Sequence, residues 1–529
     1  MSWTWTHLGT HPNPKELLLQ LQQTPPPLVA VDTETISLED RVSIGIGIAV
    51  SPTDAFYFRM FPETCQEMPW WILEDPTIIK VMHNALFDLS ALREYKLNIT
   101  NIRDTSVMAH LLGHPPKLAT LASVLLMMEI TDTKELLYKK GMTMLDLEPE
   151  VVARKCCMDA QATIAVYLNM LPQINEEYFE LECQIIPLLE LMSRRGIVID
   201  QEVRAGLELA LQAQVEYYLG LAEAQGFNPA SPQQVAYTLA KRGVFLPFTK
   251  SKKSLRTDEA TLERVDDPLA ALVLNYRGAA KSLGTYIKPL AGKERAFTHF
   301  HLDAITGRVS STKRNLQNMD RGLRCMFVPD SGLFTEVDYS QIELRILAYL
   351  SQDKEMNYIF ESGGDIHIQT AIFMNIPRKI AKSVNFAMIY GATVPTIMET
   401  AKVWDRYKAE ELLYDWFKQY REAGGWIQMQ QEQGLRDGYI HTLFGRKINL
   451  PSTLAENEMA IKRKAVNYVI QGSAAEIIKR AMLKCGQLPM VLQVHDSLLF
   501  DGRVDLPESL DSVSPLRTPL EVKETERWE

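Results

Sequence analysis

The sequence predicts an α/β unit over residues 1–175 followed by a larger α+β part, and three observations carry that prediction. Segments 28–36, 42–50 and 55–59 are rich in β-branched and apolar residues and lie close together, so they read as consecutive strands of one sheet. Residues 78–83 add a further strand and 85–95 a helix. From about residue 176 apolar residues recur at spacings of three and four, through 181–193 and 201–224, which marks long helices and sets a boundary near 175–185. Strand signals then return between 300 and 349, at 438–443 and at 491–500, with a helical pattern from 351 to 434. A chain of 529 residues is too long for one core and suits about three or four domain-sized units around a cleft.

Hydrophobic residues make up 46% and charged residues 23%, an ordinary globular balance that excludes disorder and fibrous repeats. The formal charge of -10 argues at first against a polyanionic partner, since phosphate binding leaves a basic footprint. Its distribution removes the objection. Residues 1–180 hold 13 Lys+Arg and 23 Asp+Glu, so they carry the whole imbalance. In the neutral remainder the cations are bunched, at Lys250, Lys252, Lys253 and Arg256, at Arg378, Lys379 and Lys382, and at Lys462, Arg463 and Lys464. The six cysteines show no C-x-x-C spacing, and neighbouring Cys156 and Cys157 do not suit a disulfide framework, so they read as reduced thiols. Neither a signal-like N-terminus nor an apolar run of about 18 residues occurs, which predicts a soluble intracellular protein without a membrane partner.

Asp32 and Glu34 alternate in VAVDTET, so both carboxylates leave the same face of an apolar strand. Two acids that close repel unless cations lie between them, which points to Mg²⁺ or Mn²⁺. Asp88 in HNALFD adds a carboxylate on a helix, with Asn84 one turn earlier, and Asp159 in CCMDAQAT adds a fourth. Any one of these alone reads as a turn or surface acid. Together and in this order they resemble the three motifs of DEDD-type 3′→5′ exonucleases, which implies a ribonuclease H-like α/β fold. The resemblance also implies two metal ions about 4 Å apart that activate a water and stabilise the leaving 3′-oxygen. Such domains carry Tyr or His shortly before the last aspartate; here Lys155 stands one helical turn before Asp159. An ammonium cannot act as a base while charged, but it can donate to a phosphate oxygen or a carboxylate, so Lys155 joins the expected catalytic set.

A second constellation lies further on. VDYSQIELRILA at 337–348 ends a strand at Asp338 and continues as a helix, and QVHDSLLF at 493–500 puts Asp496 in a tight turn between two apolar strands. Between them RKIAKSVNFAMIYG spaces Arg378, Lys382, Phe386 and Tyr390 every four residues, one stripe down a helix. These segments resemble motifs A, C and B of family A DNA polymerases, and the resemblance covers nearly all of 181–529. It implies a right-hand architecture of palm, fingers and thumb, with thumb and palm entry at 176–300, palm at 301–350, fingers at 351–450, and palm with the C-terminus at 451–529. By the same resemblance Asp338 and Asp496 hold two Mg²⁺, Mn²⁺ being able to substitute, for in-line phosphoryl transfer. Arg378 and Lys382 face the phosphates, Lys382 also acting catalytically, with His367 beside them. Phe386 and Tyr390 face sugar and base, Gln341 lies in the nucleotide site, and Glu343 blocks a ribose 2′-hydroxyl. Family members have Glu directly after the second aspartate, whereas this chain has Ser497; a serine can still bind a metal-bound water, so reduced rather than absent metal support is expected.

Arg308, Asn315, Gln317 and Asn318 in ITGRVSSTKRNLQN, and Arg463, Asn467 and Gln471 in KRKAVNYVIQG, carry amides and guanidinium groups suited to the minor-groove acceptors that every base pair presents. The resemblance adds His495 beside the primer end and Lys252 and Lys253 on a phosphate-tracking thumb loop. The implied partners are primer-template DNA and dNTPs, on a monomeric chain. Without a 5′-nuclease, its length suits a phage or plasmid replication enzyme. Two other readings stand beside this one: a DEDD-type exonuclease with a non-catalytic DNA-binding C-terminal module, and a catalytically silent primer-template clamp.

Overall fold

The structure, a computed structural model, describes residues 5–11, 13–37, 41–60, 69–137, 139, 141–249, 251, 253–391, 393–451 and 457–529. In the N-terminal part six strands form one mixed sheet, in the order Trp5–Leu8, Asp54–Arg59, Ser43–Ser51, Leu28–Thr35, Ile79–Met82 and Ile102–Asp104. The first four pair antiparallel and the last two join in parallel. Strand alternation decides what lies on each face. Val29 and Val31 pack with Leu18 and Leu21 of the helix Pro14–Gln23, while Ala30 packs with Cys156 and Ala160 of the helix Pro149–Met170. Asp32 and Glu34 continue the Ala30 side, so the sheet presents them to that second helix. Asp32 is paired with Gly47 on the next strand, and a Cβ at Gly47 would lie 2.9 Å from both the carbonyl oxygen and the Sγ of Cys156. A glycine there lets the helix settle directly over the acids.

The helix Glu176–Arg195 joins the two parts, and its apolar residues divide among three cores. Cys183 packs with the helix Pro149–Met170, Ile186 with the opposite face of the N-terminal sheet, and Ile185 and Leu189 with the large C-terminal core. Within it Glu182 forms a buried ion pair with Lys479 of the helix Glu458–Lys484. Helices Gln201–Glu223, Pro232–Lys241 and Pro268–Ser282 share a small core of their own around Phe227, Val235 and Leu269.

A four-stranded antiparallel sheet, in the order Met490–Val494, Ser497–Asp501, Phe334–Tyr339 and Leu520–Thr525, anchors the C-terminal part. Its hairpin turn is His495–Asp496, and Asp338 stands in register with Ser497. Helices Ile366–Met374, Arg378–Ile389, Val394–Ala401, Arg406–Gln419 and Arg421–Asp437 stack beyond it. The expected stripe is shortened: the helix ends at Ile389, and Tyr390 follows it, its N–H still bonded to the carbonyl of Phe386 at 3.1 Å. Gly391 then turns the chain at φ +107°, where a Cβ would meet Arg463 at 2.6 Å. Cys156, Cys157, Cys183 and Cys485 are buried free thiols, Cys325 is partly exposed, and Cys65 lies outside the described residues. Among the described residues no helix is long and apolar enough to cross a membrane.

Candidate active sites

Four carboxylates meet in the N-terminal part, on the wall of a cavity of about 890 Å³ that Asp32, Glu34, Asp88, Lys155 and Asp159 share with His83, Asp104 and His301. Asp32 and Glu34 come from the strand, Asp88 from the helix Ala85–Ala91, and Asp159 from the helix Pro149–Met170. Thr33, between the two strand acids, donates its N–H and hydroxyl to Asp88 Oδ1 at 3.1 and 2.7 Å. Burial is the main influence on all three acids that are shifted. It raises Asp32 well above the ordinary carboxylate range, with Asp159 and Glu34 adding repulsion; it raises Glu34; and it raises Asp88 to about 8. Lys155 Nζ lies 2.8 Å from Glu34 Oε1 and 2.7 Å from Asp159 Oδ2. Burial pulls its ammonium down, but Glu34, Asp159 and Asp32 overcome this and hold it well above the usual lysine value.

Sequence reasoning missed two supports of this site. Asp104 accepts from the N–H groups of Asn84 and Ala85 at 3.0 and 2.7 Å, fixing the start of the helix that carries Asp88, while also capping its own helix, Thr105–Leu112. An acid directly before a helical run is a legible N-cap signal, but its second task is not local. Cys156 places Sγ 3.3 Å from Asp32 Oδ2, and one ligand atom each of Asp32, Glu34 and Cys156 lie within 4.8 Å of one another. Burial holds this thiol well above its ordinary value, so it is a donor to Asp32 and a poor metal ligand.

In the C-terminal part Asp338 and Asp496 come together because the Tyr339 N–H bonds to the Asp496 carbonyl at 3.0 Å. Burial, then Asp496, Glu521 and Glu336, raises Asp338 to about 6, with Arg321 opposing. Burial, then Glu343, raises Asp496 to about 7, with Arg308 opposing. Arg308 pairs with Glu343 at 2.6 Å, and Tyr390 senses Glu343, Arg308 and Asp496 together, so the ends of all three motifs converge. Acids held near neutrality by burial and mutual repulsion are the donor set that a divalent ion stabilises; the residues present fit such an ion in both parts. The Ser497 hydroxyl donates to Glu336 Oε1 at 3.2 Å and to the Val494 carbonyl at 3.1 Å, and strand alternation sets Glu336 on the same face as Asp338.

The stripe residues divide. Arg378 is exposed and paired with Asp365 at 2.6 Å, and Lys382 Nζ lies 6.0 Å from the Phe386 ring. His367 is buried, and burial lowers it to about 4, so its ring is neutral. Its Nδ1 accepts from the Asn385 amide at 3.0 Å, which leaves the proton on Nε2 and a hydrogen bond, not charge, to offer a phosphate. Gln341, at φ +55°, holds a buried Oε1 without a partner, and the Asn467 amide nitrogen is likewise orphaned.

Arg308, Asn315, Gln317, Asn318 and His495 line one cavity of about 220 Å³ with Asp496. Gln317 turns its amide inward, onto the Val309 and Gln493 carbonyls at 3.2 and 3.0 Å, and Asn315 accepts from the Asn318 N–H at 3.1 Å. Arg463, Asn467 and Gln471 follow one face of the helix Glu458–Lys484 outside that cavity. Lys253 is exposed and lines neither site, and Lys252 lies outside the described residues.

Removing divalent ions has a calculable sign. A carboxyl whose folded pKa exceeds its unfolded value of 3.8 keeps a proton that the unfolded chain has lost, so stability falls as pH rises through that interval. With Asp338 at about 6 and Asp496 at about 7, the chelated protein should lose stability between roughly pH 4 and 7. Tm measured in EDTA is therefore expected to be lower at pH 8 than at pH 5, with the difference shrinking in Asp496→Asn. An equal difference in that variant would show that Asp496 does not hold the proton.

The fold belongs to a known class before any residue role is assigned. With a TM-score of 0.81 over 98% of both chains, and 24% identity, it matches the POL domain of Pol1 from M. smegmatis, a structure in complex with DNA primer-template and dNTP. The model of a 3′-5′ exonuclease family matches residues 9–175, and that of DNA polymerase family A matches residues 201–515. The chain belongs to DNA polymerase family A. Among its relatives, DNA polymerase I of Synechocystis is 28% identical over 92% of this chain and 57% of its own length, and that of Chloroflexus aurantiacus 30% identical over 94% and 61%. The thermostable DNA polymerase I of Thermus thermophilus is 32% identical over 65% of this chain and 47% of its own. The chain thus spans about half to three-fifths of the length of these relatives.

Proposed function

We propose that the chain extends a DNA primer on a template from dNTPs and removes mispaired 3′ ends with a separate proofreading site. The observation that carries this reading is the convergence of Asp338, Asp496, Glu343 and Tyr390, drawn from segments far apart in sequence, beside a stripe of two cations and Phe386. Family A polymerases use divalent metal ions, and the two aspartates would hold Mg²⁺ that polarises the primer 3′-hydroxyl and neutralises triphosphate charge. Arg378 and Lys382 would steady the phosphates, and the cavity floored by Asn315, Asn318 and His495 would receive the primer-template minor groove. Asp32, Glu34, Asp88 and Asp159 would line the site of excision and hold its divalent metal. Primer extension with Mg²⁺ and dNTPs, run beside excision of a 3′ mismatch, tests both halves. A chain that excises without extending would be a nuclease with a DNA-binding module.

Sugar selection gives a narrower test. Glu343 is buried at the meeting point of the motifs, and truncating it opens space for a 2′-hydroxyl. Glu343→Ala should raise ribonucleotide use relative to dNTPs by about 10–100-fold, the range that a reshaped pocket commands. Its absolute rate should fall as well, because Arg308 loses its partner. Phe386→Tyr brings a hydroxyl to the place left by a missing 3′-hydroxyl, so dideoxynucleotide use should increase. Unchanged kcat/KM ratios in both variants would show that this helix does not face the sugar.

A further inference from the structure

We propose that the Lys155 ammonium is a built-in cation that occupies one ion position of the nuclease site, so that the site takes up a single divalent ion. The inference rests on the nuclease reading above. Lys155 lies only 8% exposed, and its Nζ touches Glu34 Oε1 from the sheet and Asp159 Oδ2 from its own helix, at 2.8 and 2.7 Å. Mg²⁺ binds oxygen at about 2.0–2.1 Å, so an ion that took both of those oxygens would have to displace the ammonium from them. An ammonium delivers one positive charge and up to three donors, enough to hold two carboxylates but not to activate water as a divalent ion does.

The other half of the site is arranged differently. Asp32 and Asp88 make no hydrogen bond to Lys155, and Asp159 keeps a second oxygen, Oδ1, that is buried without a partner. Cys156 and Thr33 donate to Asp32 and Asp88 without adding charge. Four carboxylates and one ammonium leave three negative charges. One divalent ion among Asp32, Asp88 and Asp159 Oδ1 reduces that excess to one. Without Lys155 the four carboxylates have charge for two.

The site therefore trades a dissociable ion for a tethered one. Excision should then depend on free ion concentration as a one-ion process. Replacing Lys155 should slow excision by roughly ten- to a hundredfold at low Mn²⁺, the contribution of one positioned group, with the loss closing as Mn²⁺ rises and fills the vacated position.

The test counts ions in the full chain carrying Asp338→Asn and Asp496→Asn, so that the polymerase aspartates do not contribute. Mn²⁺ titration followed by electron paramagnetic resonance and calorimetry should give one tight ion per chain, two after Lys155→Met or Lys155→Ala, and one again after Lys155→Arg. The Tm gained on adding Mn²⁺ should be larger in the methionine and alanine variants than with lysine present. Two tight ions with Lys155 in place would overturn the proposal, and so would a count that no substitution changes. The unsubstituted count alone decides if a variant fails to fold. Excision is read separately: a chain that binds one ion as expected but removes no mismatch would sink the nuclease reading and leave the cation position intact.

Discussion

Asp338→Ala and Asp496→Ala are each expected to lower primer extension by on the order of a thousandfold or more, while mismatch excision stays near that of the unsubstituted chain. The size follows from charge. A divalent ion contributes several kcal/mol of stabilisation to a transferring phosphoryl group, and each 1.36 kcal/mol is tenfold in rate. The two aspartates are the partly buried pair at which that ion would be held. Glu521, in register with Asp338, and Glu336, two residues along the strand and engaged by the Ser497 hydroxyl, add carboxylates beside the pair but stand at other positions. Folding should not explain the loss. Burial and repulsion raise both acids, so removing either relieves strain in the metal-free protein and leaves or increases its Tm. Single-turnover extension with excess enzyme, together with a thermal melt, checks both statements. Excision falling in parallel with extension in a folded variant would mean that the two reactions share one ion site.

The strands and the carboxylates were the legible part of this chain, because both depend on local pattern. Segments 28–36, 42–50 and 55–59 alternate or run apolar, and they became Leu28–Thr35, Ser43–Ser51 and Asp54–Arg59. Leu520–Thr525 was not legible: Glu521, Val522, Lys523 and Glu524 are exposed on the sheet edge, where charge protects an unpaired strand and erases its apolar signature. Helical spacing could set Lys155 beside Asp159, four residues on. It could not show that Glu34, 121 positions away, completes the pair. Arg308 offers the same lesson, since a guanidinium suited to a minor groove is held by Glu343 across 35 positions. His367 and Gln317 likewise look like free polar side chains in sequence, yet the packing around them supplies Asn385 and Gln493 as partners. Partner choice for a buried polar group is a tertiary property, and it decides which of several possible tasks such a residue performs.

Asp32→Ala combined with Glu34→Ala should abolish 3′ excision, again by on the order of a thousandfold or more, and leave extension near its starting rate. The two substitutions act on different halves of the site. Losing Asp32 removes an acid that burial holds well above the ordinary carboxylate range and that Asp159 and Glu34 both repel, so by itself this change favours the metal-free fold. Losing Glu34 acts in the opposite sense, because Lys155 stays buried with Asp159 as its only remaining ion-pair partner, and breaking a buried pair costs about 3–5 kcal/mol. The double variant should therefore melt below the single variant Asp32→Ala while both have lost excision. Lys155→Met added to the double variant should lower the Tm further, since Asp159 then loses its last ion-pair partner, without restoring any cleavage. Extension is expected to survive throughout, because Asp338 and Asp496 lie on a separate sheet with its own core. Mismatch excision, primer extension and Tm measured on the same preparations decide the matter: extension lost together with excision at an unchanged Tm would overturn the assignment of two independent sites.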